Sequence, residues 1–154
     1  MTGSNRGIGY ATVQELLKKG YRVIMTARKE ADGAKSLSEL EKYGDVKFHP
    51  LDVSDPESIH RIARYIESTI GQLDILINNA GIHYDTWQSA TSADLDQVQE
   101  TLNVNLFGAW RMALAVVPFM QKQKHGRIVN VSSGSGAFAE MGSGTPGYSL
   151  SLIH

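Results

Sequence analysis

The sequence contains no cysteine among its 154 residues, which excludes disulfide bridges, thiolate zinc sites and cysteine nucleophiles. It also lacks an excess of either charge, since 15 basic residues stand against 16 acidic ones. This balance indicates neither a nucleic-acid surface nor an acidic tail. The longest apolar run, around residues 113–120, is too short to span a membrane and contains Pro118. We therefore expect a cytoplasmic protein without nucleic-acid or membrane partners.

Segments typical of strands and helices alternate along the chain, whose length suits a single domain. Their patterns predict helices over residues 7–19, 29–43, 54–70 and 91–122, and strands over residues 21–26, 46–51, 73–77 and 127–131. Ser54 is the expected N-cap of the third helix, and Pro118 is expected to kink or shorten the fourth. Such alternation predicts a doubly wound α/β fold with a parallel sheet, whose ligands bind at the carboxyl ends of the strands.

A glycine-rich segment opens the chain with the spacing G-x-x-x-G-x-G. Glycine allows positive φ angles and lets a ligand approach the backbone closely. The helix that follows points unpaired N–H groups and a partial positive charge at whatever binds there, as a pyrophosphate would require. A flexible surface turn is the alternative interpretation. The candidate contact residues are Gly3, Ser4, Asn5, Arg6, Gly7, Ile8 and Gly9.

Further polar motifs follow the predicted strands or lie in the long helix. These motifs are Asp52-Val53, Asn78-Asn79-Ala80-Gly81, Asn103-Val104-Asn105 and Ser132-Ser133. With the glycine segment, they resemble the five motifs of the short-chain dehydrogenase/reductase family, in the same order and at the same ends of their elements. The resemblance covers nearly the whole chain, and residues 21–82 are similar to carbonyl reductases of that family. It implies a Rossmann-like domain that acts on a small-molecule carbonyl or alcohol substrate.

The resemblance also implies roles in cofactor binding. Asp52 would accept a hydrogen bond from the adenine amino group and Val53 would donate one from its backbone, although Asp52 could simply be an acid that precedes a helix. Asn79, followed by Ala80 and Gly81, would bind a ribose or tie neighbouring strands together. The five histidines, at positions 49, 60, 83, 125 and 154, show no metal-ligand spacing, so no metal site is predicted.

Three catalytic residues are implied by the same resemblance. Asn105 would hold a water molecule of a proton relay, with a solvent-facing asparagine as the alternative. Ser133 has the family's S-x-x-G spacing and would hydrogen-bond the substrate oxygen, while Tyr148 would transfer the proton. The family has lysine four residues after the tyrosine, whereas this chain has Leu152. We therefore expect little dehydrogenase activity from the chain as written.

Cofactor preference follows from charge at the end of the first predicted strand. An acid at that position binds the ribose 2′-hydroxyl in proteins that prefer NAD, but here Ala27 is followed by Arg28. Arg6 lies within the glycine segment itself. Two guanidinium groups favour a 2′-phosphate, so we expect NADP(H) to bind more tightly than NAD(H). The alternative is that both arginines are solvated surface charges.

The ends of the chain depart from the family pattern. The family has an apolar strand before the glycine segment, where this chain has Met1, and continues well beyond Tyr148. The sequence thus predicts a single partial dinucleotide-binding domain over residues 1–154, lacking the first strand and the C-terminal elements. Strands 21–26 and 73–77 should be separated by a gap or pair in a distorted way. A truncated, non-catalytic nucleotide-binding or interaction module is the alternative function, and the long helix 93–122 is a candidate surface for a homo-oligomer.

Overall fold

The structure is a computed structural model that describes residues 1–82 and 91–132. Within these residues, helices and strands alternate as predicted. The helices are α1 (Gly7–Lys18), α2 (Glu30–Leu40), α3 (Pro56–Thr69), α4 (Leu95–Leu102) and α5 (Ala109–Gln123). The strands are β1 (Val23–Ala27), β2 (Val46–Pro50), β3 (Ile75–Asn78) and β4 (Arg127–Asn130). A 3₁₀ turn, Glu41–Tyr43, follows α2, and a π-helical segment, Asn103–Gly108, joins α4 to α5.

The four described strands form two parallel pairs, β1 with β2 and β3 with β4. Their registers place Ala27 opposite Pro50 and Asn78 opposite Asn130. The predicted gap between the first and third strands is therefore confirmed, since β1 and β3 belong to separate pairs in the described part of the chain.

Residues 1–4 bridge this gap near the carboxyl ends of β1 and β3. The Thr2 N–H donates to the carbonyl of Ile77 at 3.0 Å, and the Ser4 N–H donates to the carbonyl of Thr26 at 2.8 Å. The Ser4 hydroxyl also accepts a hydrogen bond from the Thr26 N–H at 3.0 Å. These bonds satisfy backbone groups that would otherwise be unpaired. They also fix the start of the glycine segment between the two strand pairs.

Two hydrophobic clusters lie on opposite faces of β1. Successive side chains of a strand point to opposite faces, and accordingly Val23 and Met25 pack in one cluster while Ile24 packs against the other. The first cluster joins α1 and α2 to β1 and β2 through Val13, Leu17, Leu40 and Val46. The second joins α3 and α5 to β3 through Ile59, Ile62, Ile66, Leu76, Met112, Val116 and Met120. Helices therefore cover both faces, which confirms the doubly wound arrangement.

The start of α3 differs from the prediction. The N-cap is Asp55, whose carboxylate accepts a hydrogen bond from the Glu57 N–H at 2.9 Å, with Pro56 in the first turn. Ser54 instead donates its hydroxyl to Asp52 at 2.6 Å. Both residue types are good N-caps, but the carboxylate of Asp52 already holds Ser54 in the preceding turn.

The long helix begins later than predicted and is irregular at a different place. Asp94 caps α4 by accepting hydrogen bonds from the backbone N–H groups of the first turn. Pro118 does not end α5, which continues to Gln123. The irregularity is the π-helical segment Asn103–Gly108, in which the spacing of the backbone hydrogen bonds widens locally.

The helical stretch Leu95–Gln123 is 29 residues long and, by length and composition alone, apolar enough to cross a membrane. Core helices of soluble proteins pass the same test. Met112, Val116 and Met120 pack in the second cluster against α3, so this stretch is part of the α/β core. The expected lack of a membrane partner stays a prediction.

Candidate cofactor-binding site

A cleft of about 950 Å³ lies beside the carboxyl ends of β1, β2 and β3. Almost all the predicted cofactor contacts line it: Gly3, Asn5, Arg6, Gly7, Ile8, Gly9, Arg28, Asp52, Val53, Asn79, Ala80 and Gly81. Ser4 does not line the cleft, because its side chain is fully buried and accepts a hydrogen bond from the Thr26 N–H. The fold thus brings together residues from four separate segments of the chain.

Each glycine of the loop meets a different physical requirement. Gly3 has a φ of +58°, and a Cβ there would lie 2.8 Å from the Cα of Ala80. A Cβ on Gly9 would lie 2.5 Å from the carbonyl oxygen of Gly3. Gly7 has a φ of +57° and would meet no protein atom within 4 Å. Because Gly7 borders the cleft, its lack of a side chain leaves room for a ligand.

The first turn of α1 faces the same cleft. Its N-cap, Arg6, has an extended backbone and makes no side-chain capping hydrogen bond. The first N–H groups of a helix have no partner within the helix, and the helix dipole makes this end partially positive. A pyrophosphate therefore fits the first turn of α1 and the cradle beside Gly7.

Asn79 clamps the glycine loop to the end of β3. Its Nδ2 donates to the carbonyl oxygens of Thr2 at 3.0 Å and Gly3 at 2.8 Å. In return, the Thr2 hydroxyl accepts hydrogen bonds from the N–H groups of Asn79 and Ala80, both at 2.9 Å. Of the two predicted roles of Asn79, the tie between neighbouring segments is therefore present. Thr2, which directly precedes the glycine segment, is a supporting residue to which the sequence assigned no role.

Asp52 shapes the turn between β2 and α3. Its Oδ1 accepts hydrogen bonds from the Ser54 N–H at 2.9 Å and the Ser54 hydroxyl at 2.6 Å. The Asp52 N–H donates to the hydroxyl of Ser58 at 3.0 Å. These contacts fix the carboxylate at the edge of the cleft, next to the buried Val53. Asp52 therefore precedes a helix and also faces the cleft, so both interpretations remain compatible with its position.

Exposed cations line the cleft near the end of β1. Arg6 and Arg28 both lie on its lining and are exposed. Neither is among the three ion pairs found in the described residues. Lys29 and Lys35 also line the cleft, although the sequence motifs did not indicate them. These groups could hold an anion with charge-assisted hydrogen bonds.

Tyr10 lies on the rim of the cleft, one turn into α1. Its hydroxyl donates to a carboxylate oxygen of Glu39 on α2 at 3.1 Å. Desolvation, followed by this hydrogen bond, raises the pKa of the Tyr10 phenol. The phenol therefore stays protonated and keeps its role as a donor between the two helices.

Asn105 lies in the π-helical segment and is only 2% exposed, so the solvent-facing alternative is wrong. Its Oδ1 accepts from the Ile82 N–H, and its Nδ2 donates to the Ile82 carbonyl, both at 2.9 Å. The asparagine thus holds Ile82, the residue after Gly81, beside the cleft. Single π-helical turns occur frequently at functional sites.

The model of the short chain dehydrogenase family matches residues 1–151 of this chain. The chain belongs to that family. It is 34% identical to (+)-neomenthol dehydrogenase of Arabidopsis thaliana, with 88% of this chain and 53% of that protein covered. It is 37% identical to carbonyl reductase (NADPH) 3 of Mus musculus, with 86% of this chain and 47% of that protein covered. The chain therefore spans about half the length of these curated relatives.

Solved structures agree with this assignment. An alcohol dehydrogenase from Thermococcus sibiricus complexed with 5-hydroxy-NADP is 28% identical, with a TM-score of 0.85, and the match covers 98% of this chain and 63% of that one. L-sorbose reductase from Gluconobacter frateurii, complexed with NADPH and L-sorbose, is 26% identical, with a TM-score of 0.86. That match covers 97% of this chain and 56% of that one. The Rossmann-type fold of this short chain dehydrogenase is thereby confirmed.

Asn78 supports the site of this short chain dehydrogenase from behind the cleft lining, a role that the sequence motifs did not indicate. It is 7% exposed at the end of β3. Its Nδ2 donates to Oδ1 of Asn130 at 2.9 Å and to the carbonyl of Ala109 at 3.2 Å. Asn78 therefore ties the ends of β3 and β4 to the start of α5. The predicted Ser133, Tyr148 and Leu152 lie outside the described residues.

Proposed function

We propose that this short chain dehydrogenase is an NADP(H)-dependent oxidoreductase that acts on carbonyl and alcohol groups of small molecules. One observation carries the proposal: the glycine loop, Asp52, Asn79 and two arginines that form no ion pair within residues 1–82 and 91–132 line one cleft. The names of the relatives support it, because they include an NADPH carbonyl reductase and a reductase complexed with NADPH.

In this proposal, the described residues bind and orient the cofactor, which supplies or accepts the hydride. The first turn of α1 would hold the pyrophosphate, and Asp52 with the Val53 backbone would hold the adenine. Asn79 would keep the glycine loop in place through its bonds to Thr2 and Gly3. Ser133 would bind the substrate oxygen and Tyr148 would give it a proton, with Asn105 in the relay.

The relatives do not favour the alternative of a non-catalytic module, since those cited are named as dehydrogenases or reductases. Leu152 stands where the family has lysine, and we expect this difference to lower the rate of alcohol oxidation. A phenol without a neighbouring cation ionises near pH 10, so few tyrosine side chains can act as a base at neutral pH. Compared with a tyrosine whose pKa a neighbouring cation lowers by about two units, a tyrosine without the cation would oxidise alcohols roughly a hundredfold more slowly at neutral pH.

Activity assays with this chain test the proposal. We expect slow oxidation of secondary alcohols by NADP that accelerates steadily between pH 7 and about pH 10. Tyr148→Phe should abolish this turnover, whereas Tyr21→Phe, which changes an exposed tyrosine outside the cleft lining, should not. Formation of NADPH, followed by its absorbance, measures the rate.

Two results of this assay would contradict specific parts of the proposal. If bound NADP supports no alcohol oxidation at any pH, the proposed function is wrong. If turnover is already about one per second at pH 7 and is lost in Tyr148→Phe, the function stands but Leu152 does not limit it.

The protein would also form a homo-oligomer through the long helix. Phe107, Trp110 and Leu114 are exposed by 43%, 60% and 64%, and their spacing places them on one side of the helical stretch. Burial of such a stripe against a second copy would remove apolar surface from water. The cytoplasmic location and the lack of a nucleic-acid partner stay predictions.

Sedimentation analysis tests this surface. We expect an oligomer that the double variant Trp110→Glu, Leu114→Glu converts to a monomer. Gln121→Glu, an exposed change on the same helix, should leave the oligomer intact. A monomeric unsubstituted protein at the highest soluble concentration would contradict the proposal.

A further inference from the structure

Ser36 makes an unusual contact for a serine in the middle of a helix. It lies in α2, is 6% exposed, and its hydroxyl donates to the carbonyl of Asn5 in the glycine loop at 2.8 Å. The carbonyl of Asp32, one turn earlier in α2, is farther from the same hydroxyl, at 3.1 Å. A mid-helix serine usually bonds only within its own helix. Here the shorter contact joins α2 to the loop.

The two halves of the glycine loop are held by different groups. Gly3 and Ser4 are anchored to the strands through Thr26 and Asn79. Beyond Ser4, the loop contacts α2 through the carbonyl of Asn5. In the described part of the chain, the Asn5 carbonyl oxygen accepts its side-chain hydrogen bond from the Ser36 hydroxyl. The outer half of the loop is therefore attached to the helix rather than to the sheet.

α2 is a firm support because it packs directly on β2. A Cβ on Gly33 would overlap the ring of Phe48, so the glycine lets the helix backbone rest against that ring. Leu40, at the end of α2, is fully buried in the first cluster. Packing thus fixes the backbone of Ser36, and it places the hydroxyl within hydrogen-bond distance of the Asn5 carbonyl.

We propose that Ser36 is a positioning residue for cofactor binding. By holding Asn5, it sets the orientation of the adjacent Arg6 and of the first turn of α1 toward the cleft. Phosphate groups of the cofactor would then meet donors that are already in place, which lowers the ordering cost of binding. This inference rests on the proposed function, because the ligand it serves is NADP(H).

Three variants of α2 test the proposal by fluorescence titration with NADPH. Ser36→Ala should weaken binding about fivefold, as expected for the loss of one neutral hydrogen bond. Ser36→Thr keeps the hydroxyl and should restore most of the affinity. Ser38→Ala is the matched control, since the exposed Ser38 hydroxyl donates to the Lys35 carbonyl at 2.8 Å within the same helix. Equal affinities for Ser36→Ala and Ser38→Ala would overturn the proposal.

Amide hydrogen exchange without cofactor separates this inference from the proposed function. Exchange over residues 5–10 should accelerate in Ser36→Ala and stay unchanged in Ser36→Thr and Ser38→Ala. Unchanged exchange in Ser36→Ala would show that the Ser36–Asn5 hydrogen bond does not hold the loop, even if the protein binds NADPH. The unsubstituted protein could fail to bind NADPH while loop exchange is still faster in Ser36→Ala. That result would refute the role in cofactor binding and would show that Ser36 holds the loop. Thermal unfolding of each variant shows whether a change in affinity reflects a general loss of structure.

Discussion

Replacement of Gly9 by alanine should abolish NADPH binding and lower the free energy of unfolding by about 2 kcal/mol. The added Cβ would lie 2.5 Å from the Gly3 carbonyl oxygen, 2.6 Å from Nδ2 of Asn79 and 2.8 Å from the Cα of Ser4. Two of these atoms belong to the backbone, and the third is held by two hydrogen bonds. The loop must therefore move away from α1, and the contacts that form the cleft must break.

Gly7→Ala is the matched control for this variant. A Cβ on Gly7 would meet no protein atom within 4 Å. The free energy of unfolding should therefore fall by only about 1 kcal/mol, because alanine is strained at a positive φ angle. The new methyl group would occupy the cleft, so NADPH affinity should still fall. Urea denaturation and NADPH titration measure both effects. Gly9→Ala protein that binds NADPH as tightly as the unsubstituted protein would contradict the described loop geometry.

The double variant Arg6→Ala, Arg28→Ala should lose about 100-fold in affinity for NADPH and little for NADH. Both guanidinium groups line the cleft without an ion-pair partner among the described residues. They are therefore available to a 2′-phosphate, which NADH lacks. Hydrogen bonds between charged groups are worth more than neutral ones, so the effect should exceed that of Ser36→Ala.

A second double variant controls for net charge. Arg22→Ala, Arg64→Ala removes the same charge from exposed positions that do not line the cleft, and both affinities should change only slightly. Titrations of the two cofactors against both double variants decide the question. An unchanged preference for NADPH after loss of Arg6 and Arg28 would mean that these arginines are ordinary solvated surface charges.

Much of the fold follows from the sequence because its signals are local. Apolar patterns predicted the four described strands and the helical segments between them, with α4 and α5 as one long helix. The alternation of these elements predicted helices on both faces of the sheet. The rule that ligands bind at the carboxyl ends of parallel strands then placed Asp52 and Asn79 at one site. The cleft confirms that these segments meet.

The supporting contacts could not be predicted because they join residues far apart in the chain. Ser36 and Asn5 are 31 positions apart, and Asn78 and Asn130 are 52 apart. Nothing in either local sequence specifies such a pairing before the fold exists. A buried serine in a helix interior is nevertheless a usable signal, since serine competes there with the backbone for hydrogen bonds.

Gly33 shows how a local rule and the tertiary structure can disagree. By local rules this residue argues against the predicted helix 29–43, because glycine is unfavourable within helices. In the structure it lies inside α2 and faces the ring of Phe48, where any side chain would overlap that ring. The gain from close packing between helix and strand outweighs the conformational cost, which only the tertiary structure reveals.

We expect the cleft in front of the glycine loop to bind NADP(H). Calorimetric titration of the unsubstituted chain with NADPH, and separately with NADH, tests it most directly. The described geometry predicts saturable binding of one NADPH per chain, at least about tenfold tighter than NADH. Absence of saturable NADPH binding by the folded protein, or tighter binding of NADH, would contradict it.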